Sequence, residues 1–564
     1  MIQYRLNTIV AFVLVLLGLS ACQVKTEKQK QQPNIVIIMA DDLGYSDLAC
    51  YGGELNTPHI DQLASEGLRF SQFYNGARCC PSRASLLTGQ YSHVAGIGHM
   101  TEDRGKEAYQ GRLSQNVLTI AEVLKLNGYQ TMMTGKWHVT DNIERKGDIS
   151  NWPIQRGFDK FYGTLPGYGS FWDPAGLYNG NEAVKAIGDY FYTDAMTDTT
   201  ISYIHEAIDK DEPFFMYVAY AAPHYPLHAR EEYIVNNKGK FDAGWDVLRA
   251  ERLKRLKEKG LINSDVTLAN RDEQSIPWED EPYKQWQSHR MEVFGAMVEQ
   301  MDAGIGRIMQ TLKDVGADEN TIVIFLSDNG GSAEGHLYNT IERWGKPWKS
   351  KLIPELAPNG EKMKAGDWPD EPLGGPTTFG SYGVKWANLS NAPFQRHKSW
   401  LHEGGISTPF IVRWPAQIAN TGAIRHTPTH LIDVMATCID ISSSDYPKVV
   451  NERMIHSYEG ESLASLFKGE STSGRPLFWE HEGNRAIRYG DWKLVSEFPG
   501  TWAPVRAYEK QGQWELYNIV NDRTETTDLA SEMPEKVKEL EALWQQWANR
   551  VGVIPWDELV KEDY

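Results

Sequence analysis

Cys79-Cys80-Pro81-Ser82-Arg83 opens a segment that runs through Ala84-Ser85-Leu86-Leu87-Thr88 to Gly89. Pro81 suits the first turn of a helix and Gly89 its end, which predicts a helix starting near Cys79. A side chain placed there meets free backbone amides and the positive end of the helix dipole, and both favour a bound anion. The same residues also read as an ordinary helix start carrying a small buried thiol. Two oxygen-rich pairs stand elsewhere, Asp41-Asp42 and Asp328-Asn329. Adjacent carboxylates repel unless they share a proton or a cation. A hard divalent ion relieves the repulsion, and calcium tolerates irregular oxygen coordination. A third set supplies cations and imidazoles: Lys136 and His138 in Gly135-Lys136-Trp137-His138, His224 in Pro223-His224-Tyr225-Pro226, and Lys398 ahead of Leu401-His402-Glu403-Gly404-Gly405. Taken singly, each of these is as compatible with a structural role as with a catalytic one.

What positions these groups is a series of short apolar runs. Asn34–Ala40 reads as a buried strand that ends at Asp41-Asp42. Tyr129–Thr134 ends at the Gly135-Lys136-Trp137-His138 segment, Phe214–Ala219 precedes His224, and Thr321–Leu326 precedes Asp328. Pro409–Arg413 reads as a further strand, and helical patterns lie between the runs, as at Thr119–Leu126 and Met291–Leu312. Uninterrupted apolar strands alternating with helices predict an α/β fold on a large, mostly parallel central sheet flanked by helices. Ligands bind such sheets at the carboxyl ends of the strands. Polar clusters fall at that end four times over, which predicts one composite site. Residues Ala229–Ser288 read as a helical insertion and Gly345–Phe394 as a long ordered loop. A smaller α+β domain is expected from 475 to 564, with strands at Arg485–Val495 and Trp514–Ile519 and a helix at Pro534–Val551.

The segment from Cys79 to Gly89 resembles the sulfatase signature, Cys-x-Pro-Ser-Arg followed by Thr-Gly, and matches it at every fixed position. The likeness extends from Asn34 to about Val551 and includes Trp514-Glu515-Leu516-Tyr517-Asn518. It implies a formylglycine-dependent sulfatase of the alkaline phosphatase superfamily. It further implies that a maturation enzyme oxidises Cys79 to formylglycine, and that Asp41, Asp42, Asp328 and Asn329 hold one calcium ion. In that reading Lys136, Lys398 and Arg83 neutralise the sulfate oxygens. The formylglycine hydrate attacks sulfur, His224 and Lys398 assist departure of the alcohol, and His138 takes the proton that restores the aldehyde. Ser407 departs from the pattern of many relatives, where Arg follows Glu-Gly-Gly-Ile, and this touches no catalytic role. The implied substrate is a sulfated carbohydrate, with aryl sulfates as surrogates. Two alternatives are a phosphonate or phosphate diester hydrolase of the same superfamily and a tethered glycan-binding protein without catalysis.

The rest of the sequence bounds the setting. Its 564 residues carry 57 basic and 75 acidic side chains, a formal charge of −18 that argues against binding nucleic acid. An acidic chain can still build a local basic pocket for an anionic substrate. The amino terminus has Arg5, an apolar run from Thr8 to Leu19, and then Ser20-Ala21-Cys22. Leu19-Ser20-Ala21-Cys22 resembles a bacterial lipobox. That implies a signal peptide over 1–21, lipidation of Cys22, a polar tether over 22–32, and an exported lipoprotein anchored to a membrane, expected to be the outer membrane. A plain secretory signal or a short anchor helix would give a similar pattern. The catalytic domain is expected from 33 to 474. His481, Asn484 and Arg485 are candidate sugar contacts, with ordinary surface positions as the alternative.

Overall fold

The computed structural model describes residues 32–210, 212–335, 350–369, 371–470, 474–498 and 512–560. Cys22 and nearly all of the expected tether lie outside the described residues.

The central sheet is built around β1 (Asn34–Ala40), β2 (Leu68–Tyr74), β3 (Gln130–Lys136), β4 (Lys160–Thr164), β5 (Phe214–Ala219), β6 (Thr321–Ser327) and β7 (Ser407–Arg413). Their order across the sheet is β2-β7-β6-β1-β5-β3-β4, extended by short edge strands to 11 strands among the described residues. β6, β1, β5, β3 and β4 run parallel, while β7 is antiparallel to both neighbours. Residues Ile35 to Ala40 of β1 are all fully buried. Alternate side chains face opposite ways along a strand, so Val36 and Ile38 pack with Met291, Phe294 and Met301 of the helix Lys284–Asp314. Ile35 and Ile37 join Val123 and Leu124 on the other face. Covering by helices on both faces is what makes these strands read as unbroken apolar runs.

The helix start at Thr119 carries the capping box that its Glu122 predicts. The helix expected near Pro81 spans Cys79–Thr88, is buried at every position, and stops at Gly89 with φ 64°. A left-handed residue there is the usual glycine C-terminal stop.

A second, four-stranded antiparallel sheet is formed by Leu477–His481, Asn484–Tyr489, Trp492–Ser496 and Trp514–Asn518. The expected single strand Arg485–Val495 is therefore two, because Gly490 turns the chain with φ 58°. One face, through Ile487, Leu494 and Leu516, covers Leu540, Trp544 and Trp547 of the helix Pro534–Val551. The other, through Trp479, Ala486, Val495 and Tyr517, packs on Tyr74, Ala77, Leu401 and Ile406. The smaller sheet thus backs the chain on either side of Cys79 and the Glu403-Gly404-Gly405 turn. Within the expected long loop, the described residues include a ladder of Lys364–Ala365 with Thr378–Phe379 and the helix Gly383–Ser390, so it is not loop throughout.

Candidate active site

Every polar cluster expected at a strand end arrives at one edge of the sheet. The antiparallel β7 contributes its beginning to that edge, so the Glu403-Gly404-Gly405 turn that precedes it faces the ends of β1, β3, β5 and β6. The glycines are required by close approach. A Cβ on Gly330 would stand 2.0 Å from the Gly404 carbonyl oxygen, and one on Gly404 would stand 2.3 Å from that of Arg396. No side chain fits at those separations.

The acidic groups form the floor. Asp41, Asp328 and Asn329 are fully buried and Asp42 nearly so. Asn329 Nδ2 donates to Asp42 Oδ1 at 2.7 Å, and the Asp42 amide donates to Asp328 Oδ1 at 3.2 Å. Arg83, on the Cys79–Thr88 helix, donates to Asp328 Oδ2 through Nε at 3.0 Å and Nη2 at 2.8 Å, and through Nη1 to the Lys136 carbonyl at 3.0 Å. Lys136 Nζ donates to Asp41 Oδ2 at 2.5 Å. Lys398 Nζ lies 2.8 Å from Asp42 Oδ1. Asp42, Ala77, His138 and Ser399 all hold positive φ, of 66°, 62°, 54° and 79°. Strained backbone of this kind clusters where geometry serves chemistry.

Burial and then the neighbouring Asp41 push the Asp328 carboxyl up to about 7. Burial also opposes the charge on Asp42, but Lys398 and His224 outweigh it and hold that carboxyl below its ordinary range. Burial works against the charge on Lys398 as well, yet Asp42, Cys79 and Glu334 keep its pKa well above the usual lysine value. Burial, reinforced by Lys136 and Arg83, holds His138 well below the ordinary histidine value. Burial likewise lowers His224 to about 3 against the pull of Asp42.

Two observations test whether a cation fits. Asp41 Oδ1 and Asn329 Oδ1 are buried with no hydrogen-bond partner, although buried polar atoms are almost always paired. Ligand atoms of Asp41, Asp42, Cys79 and His224 also lie within 4.8 Å of one another. Carboxylate and amide oxygens that crowd together and leave two acceptors unused fit a hard divalent ion.

The sulfatase family model matches residues 33–443. The chain belongs to the sulfatase family. An uncharacterized sulfatase of Schizosaccharomyces pombe is 32% identical over 567 residues, spanning 94% of this chain and 95% of that one. An arylsulfatase of Klebsiella aerogenes is 33% identical over 466 residues, spanning 79% of this chain and 94% of its own. Among solved structures, i-CgsB in complex with a k-i-k-neocarrahexaose superposes with a TM-score of 0.62 at 23% identity, covering 92% of this chain and 93% of that one. The chain is therefore a sulfuric ester hydrolase with the sulfatase fold of the alkaline phosphatase superfamily.

Three features of this sulfatase escaped the reading of its sequence. Arg78 and Glu334 pair at 2.6 Å beside Lys398; nothing in their own sequence neighbourhoods distinguishes them from surface charges. Cys80 Sγ lies 3.2 Å from His138 Nε2, a contact between residues far apart in the chain that only the fold creates. Glu403 is buried against Lys493 at 3.1 Å and Arg523 at 3.3 Å, and Lys493 also meets Glu525 at 2.7 Å. This ion cluster fastens the turn after Lys398 to the second sheet, and Arg523 Nη2 reaches Ser407 Oγ at 2.9 Å. A guanidinium from elsewhere in the chain thus meets Ser407, the position at which the sequence departs from the expected pattern. The suggested sugar contacts are not supported. His481 is fully buried, Asn484 Nδ2 donates to the His481 carbonyl at 3.0 Å, and Arg485 stacks on Trp514 at 4.3 Å.

Proposed function

We propose that this chain hydrolyses sulfate monoesters of carbohydrates through a formylglycine made from Cys79, with one calcium ion held by Asp41, Asp42, Asp328 and Asn329. The observation that carries the reading is the setting of Cys79. Its sulfur stands where the oxygens of a formylglycine hydrate would stand, at the start of a buried helix and within 4.8 Å of ligand atoms of Asp41, Asp42 and His224. The lysine charges of Lys136 and Lys398 bear on it electrostatically. When present, the formylglycine supplies an oxygen nucleophile at sulfur, and the ion supplies positive charge beside it.

The chain's own residues account for the remaining work. Lys136 and Lys398 bring fixed positive charge to the oxygens of a monoester, in a site that needs no reorganisation. Arg83 holds Asp328 with two hydrogen bonds and so fixes the floor. Lys398 carries protons to give to the departing alcohol. His224 donates from Nδ1 to the Tyr225 carbonyl at 2.7 Å, which leaves Nε2 as the ring atom that can exchange a proton. Asp42 Oδ2 lies 3.5 Å from that atom, and burial outweighs its pull on the ring. His138, whose Nδ1 is buried without a hydrogen-bond partner, is the group assigned to accept a proton.

The carbohydrate half of the proposal rests on the likeness to a solved structure bound to a hexaose and on the expected export of the chain. Matured protein is expected to turn over a sulfate monoester with at least about tenfold higher kcat/KM than the matching phosphonate monoester, roughly 1.4 kcal/mol in transition-state binding. Side-by-side assays on one preparation measure this, and a preference for the phosphonate would transfer the chain to the rival hydrolase. The proposal places maturation and lipidation of Cys22 before function, with the mature protein at a membrane surface. No described helix is long and apolar enough to cross a membrane. Metabolic labelling with an alkynyl fatty acid is expected to mark the wild type and miss Cys22→Ala. Label persisting in that variant would remove the anchor.

A further inference from the structure

Lys398 sits in a closed ring of contacts. Its Nζ donates to Glu334 Oε2 at 3.0 Å. The other carboxylate oxygen, Oε1, pairs with Arg78 Nη2 at 2.6 Å. Arg78 Nη1 donates to Ser399 Oγ at 2.5 Å, and Ser399 is the residue after Lys398. The backbone tightens the ring, since the Ser399 amide donates to the Ala77 carbonyl at 2.8 Å, next to Arg78. Glu334 is itself held by its neighbour, because its amide donates to Ser332 Oγ at 3.2 Å. Side chains of Lys398 and Arg78 are 1% and 4% exposed, against 16% for Glu334. The ring is therefore nearly closed to water, and its charges interact strongly.

An ammonium has three protons to donate. One carboxylate at Asp42 and one at Glu334 engage two directions, and a third remains. Asp42 is also a candidate ligand of the cation, so Glu334 is the partner committed to Lys398. A free lysine side chain carries about 2 kcal/mol of rotamer entropy, and a donor that wanders by an ångström loses much of its effect. We infer that Glu334, fixed by Arg78 and Ser399, is a positioning residue that aims the remaining N–H of Lys398 at the leaving-group oxygen of the sulfate ester. The inference rests on the role given to Lys398 in the proposed function.

It has a consequence that simple structural support lacks. An alkyl or sugar alcohol is a poor leaving group and depends on proton donation, whereas 4-nitrophenolate leaves with little help. Loss of aim therefore harms the two substrates unequally. In Glu334→Gln, kcat/KM for a saccharide or alkyl sulfate is expected to fall about 10- to 100-fold further than for 4-nitrophenyl sulfate, the range of a lost hydrogen bond to a charged group. The loss should lie in kcat rather than KM, and Glu334→Asp should recover part of it. Lys398→Ala, run in parallel, should show the same bias more strongly. The ratio of the two substrates within one preparation is independent of how much protein is folded or matured.

Equal losses on both substrates would reduce Glu334 to structural support and overturn the inference. A lower KM with unchanged kcat would overturn it as well, by making Glu334 a mere shield over two cations. Absence of bias in Lys398→Ala would overturn the assignment of Lys398 and the inference with it. Wild type without turnover of any sulfate ester would instead count against the proposed function.

Discussion

Cys79→Ala is expected to lower sulfate ester turnover by about 10⁴- to 10⁶-fold, the range seen when the nucleophile of a catalytic unit is removed. No neighbouring side chain can replace it. Cys80 is the nearest candidate, but its thiol faces His138 Nε2 at 3.2 Å. Burial, together with the adjacent Cys79, pushes the Cys80 pKa well above the ordinary thiol range. A buried neutral thiol is a poor nucleophile. Burial also raises Cys79 against the pull of Lys136 and Lys398. A sulfur nucleophile would in any case leave an adduct with no easy exit. Cys80→Ser is expected to keep turnover within about tenfold of wild type, because a serine hydroxyl retains a hydrogen bond to His138 worth roughly 0.5–1.5 kcal/mol. Initial rates on an aryl sulfate, normalised to formylglycine content, measure both variants. Substantial turnover in Cys79→Ala would remove the assigned nucleophile.

Chelation is expected to produce the second large effect, a fall in turnover of at least about 10²-fold, the scale of removing one strong electrostatic contribution. It should also lower the melting temperature. An ion that binds only the folded chain stabilises it by about 2.7 kcal/mol when free ion exceeds Kd by 100-fold. The structural ground is the crowding of Asp41, Asp42 and Asp328, with Asp41 Oδ1 and Asn329 Oδ1 unsatisfied. Lys136, Arg83 and Lys398 engage the carboxylates from one side each, and the two orphaned oxygens remain for the cation. Activity and thermal unfolding are followed during exhaustive demetallation and on readdition of calcium. Full activity in demetallated protein would show that the oxygen cluster serves the fold alone.

The sequence carried the sheet and the site unequally. Strands buried on both faces announce themselves as apolar runs, so β1 and β5 were legible to the residue. β2 was not, because Leu68-Arg69-Phe70-Ser71-Gln72-Phe73-Tyr74 mixes polar and apolar residues near the edge of the sheet. The reversed direction of β7 leaves no mark in composition, yet it is what brings the turn after Lys398 to the catalytic edge. Asp41, Asp42, Lys136, His138, His224, Asp328 and Asn329 were legible because each follows a strand that could be seen. Arg78, Glu334 and Ser399 were not, because single polar residues in loops acquire meaning only when distant segments meet. His481 misled for the same reason. It was read as preceding a strand, but it is the last residue of the strand Leu477–His481 in the second sheet, where both faces are covered.

The central claim is that Cys79 becomes the oxygen nucleophile of a sulfatase, and peptide mass spectrometry tests it most directly. Protein made with an active maturation system should yield the peptide after Arg78 with Cys79 lacking its sulfur and carrying an added oxygen, and with Cys80 still open to alkylation. Across preparations matured to different extents, turnover of a sulfate ester should rise in proportion to the modified fraction and extrapolate to zero at none. Conversion of Cys80 alone, or full turnover from protein whose Cys79 remains an intact thiol, would contradict the account.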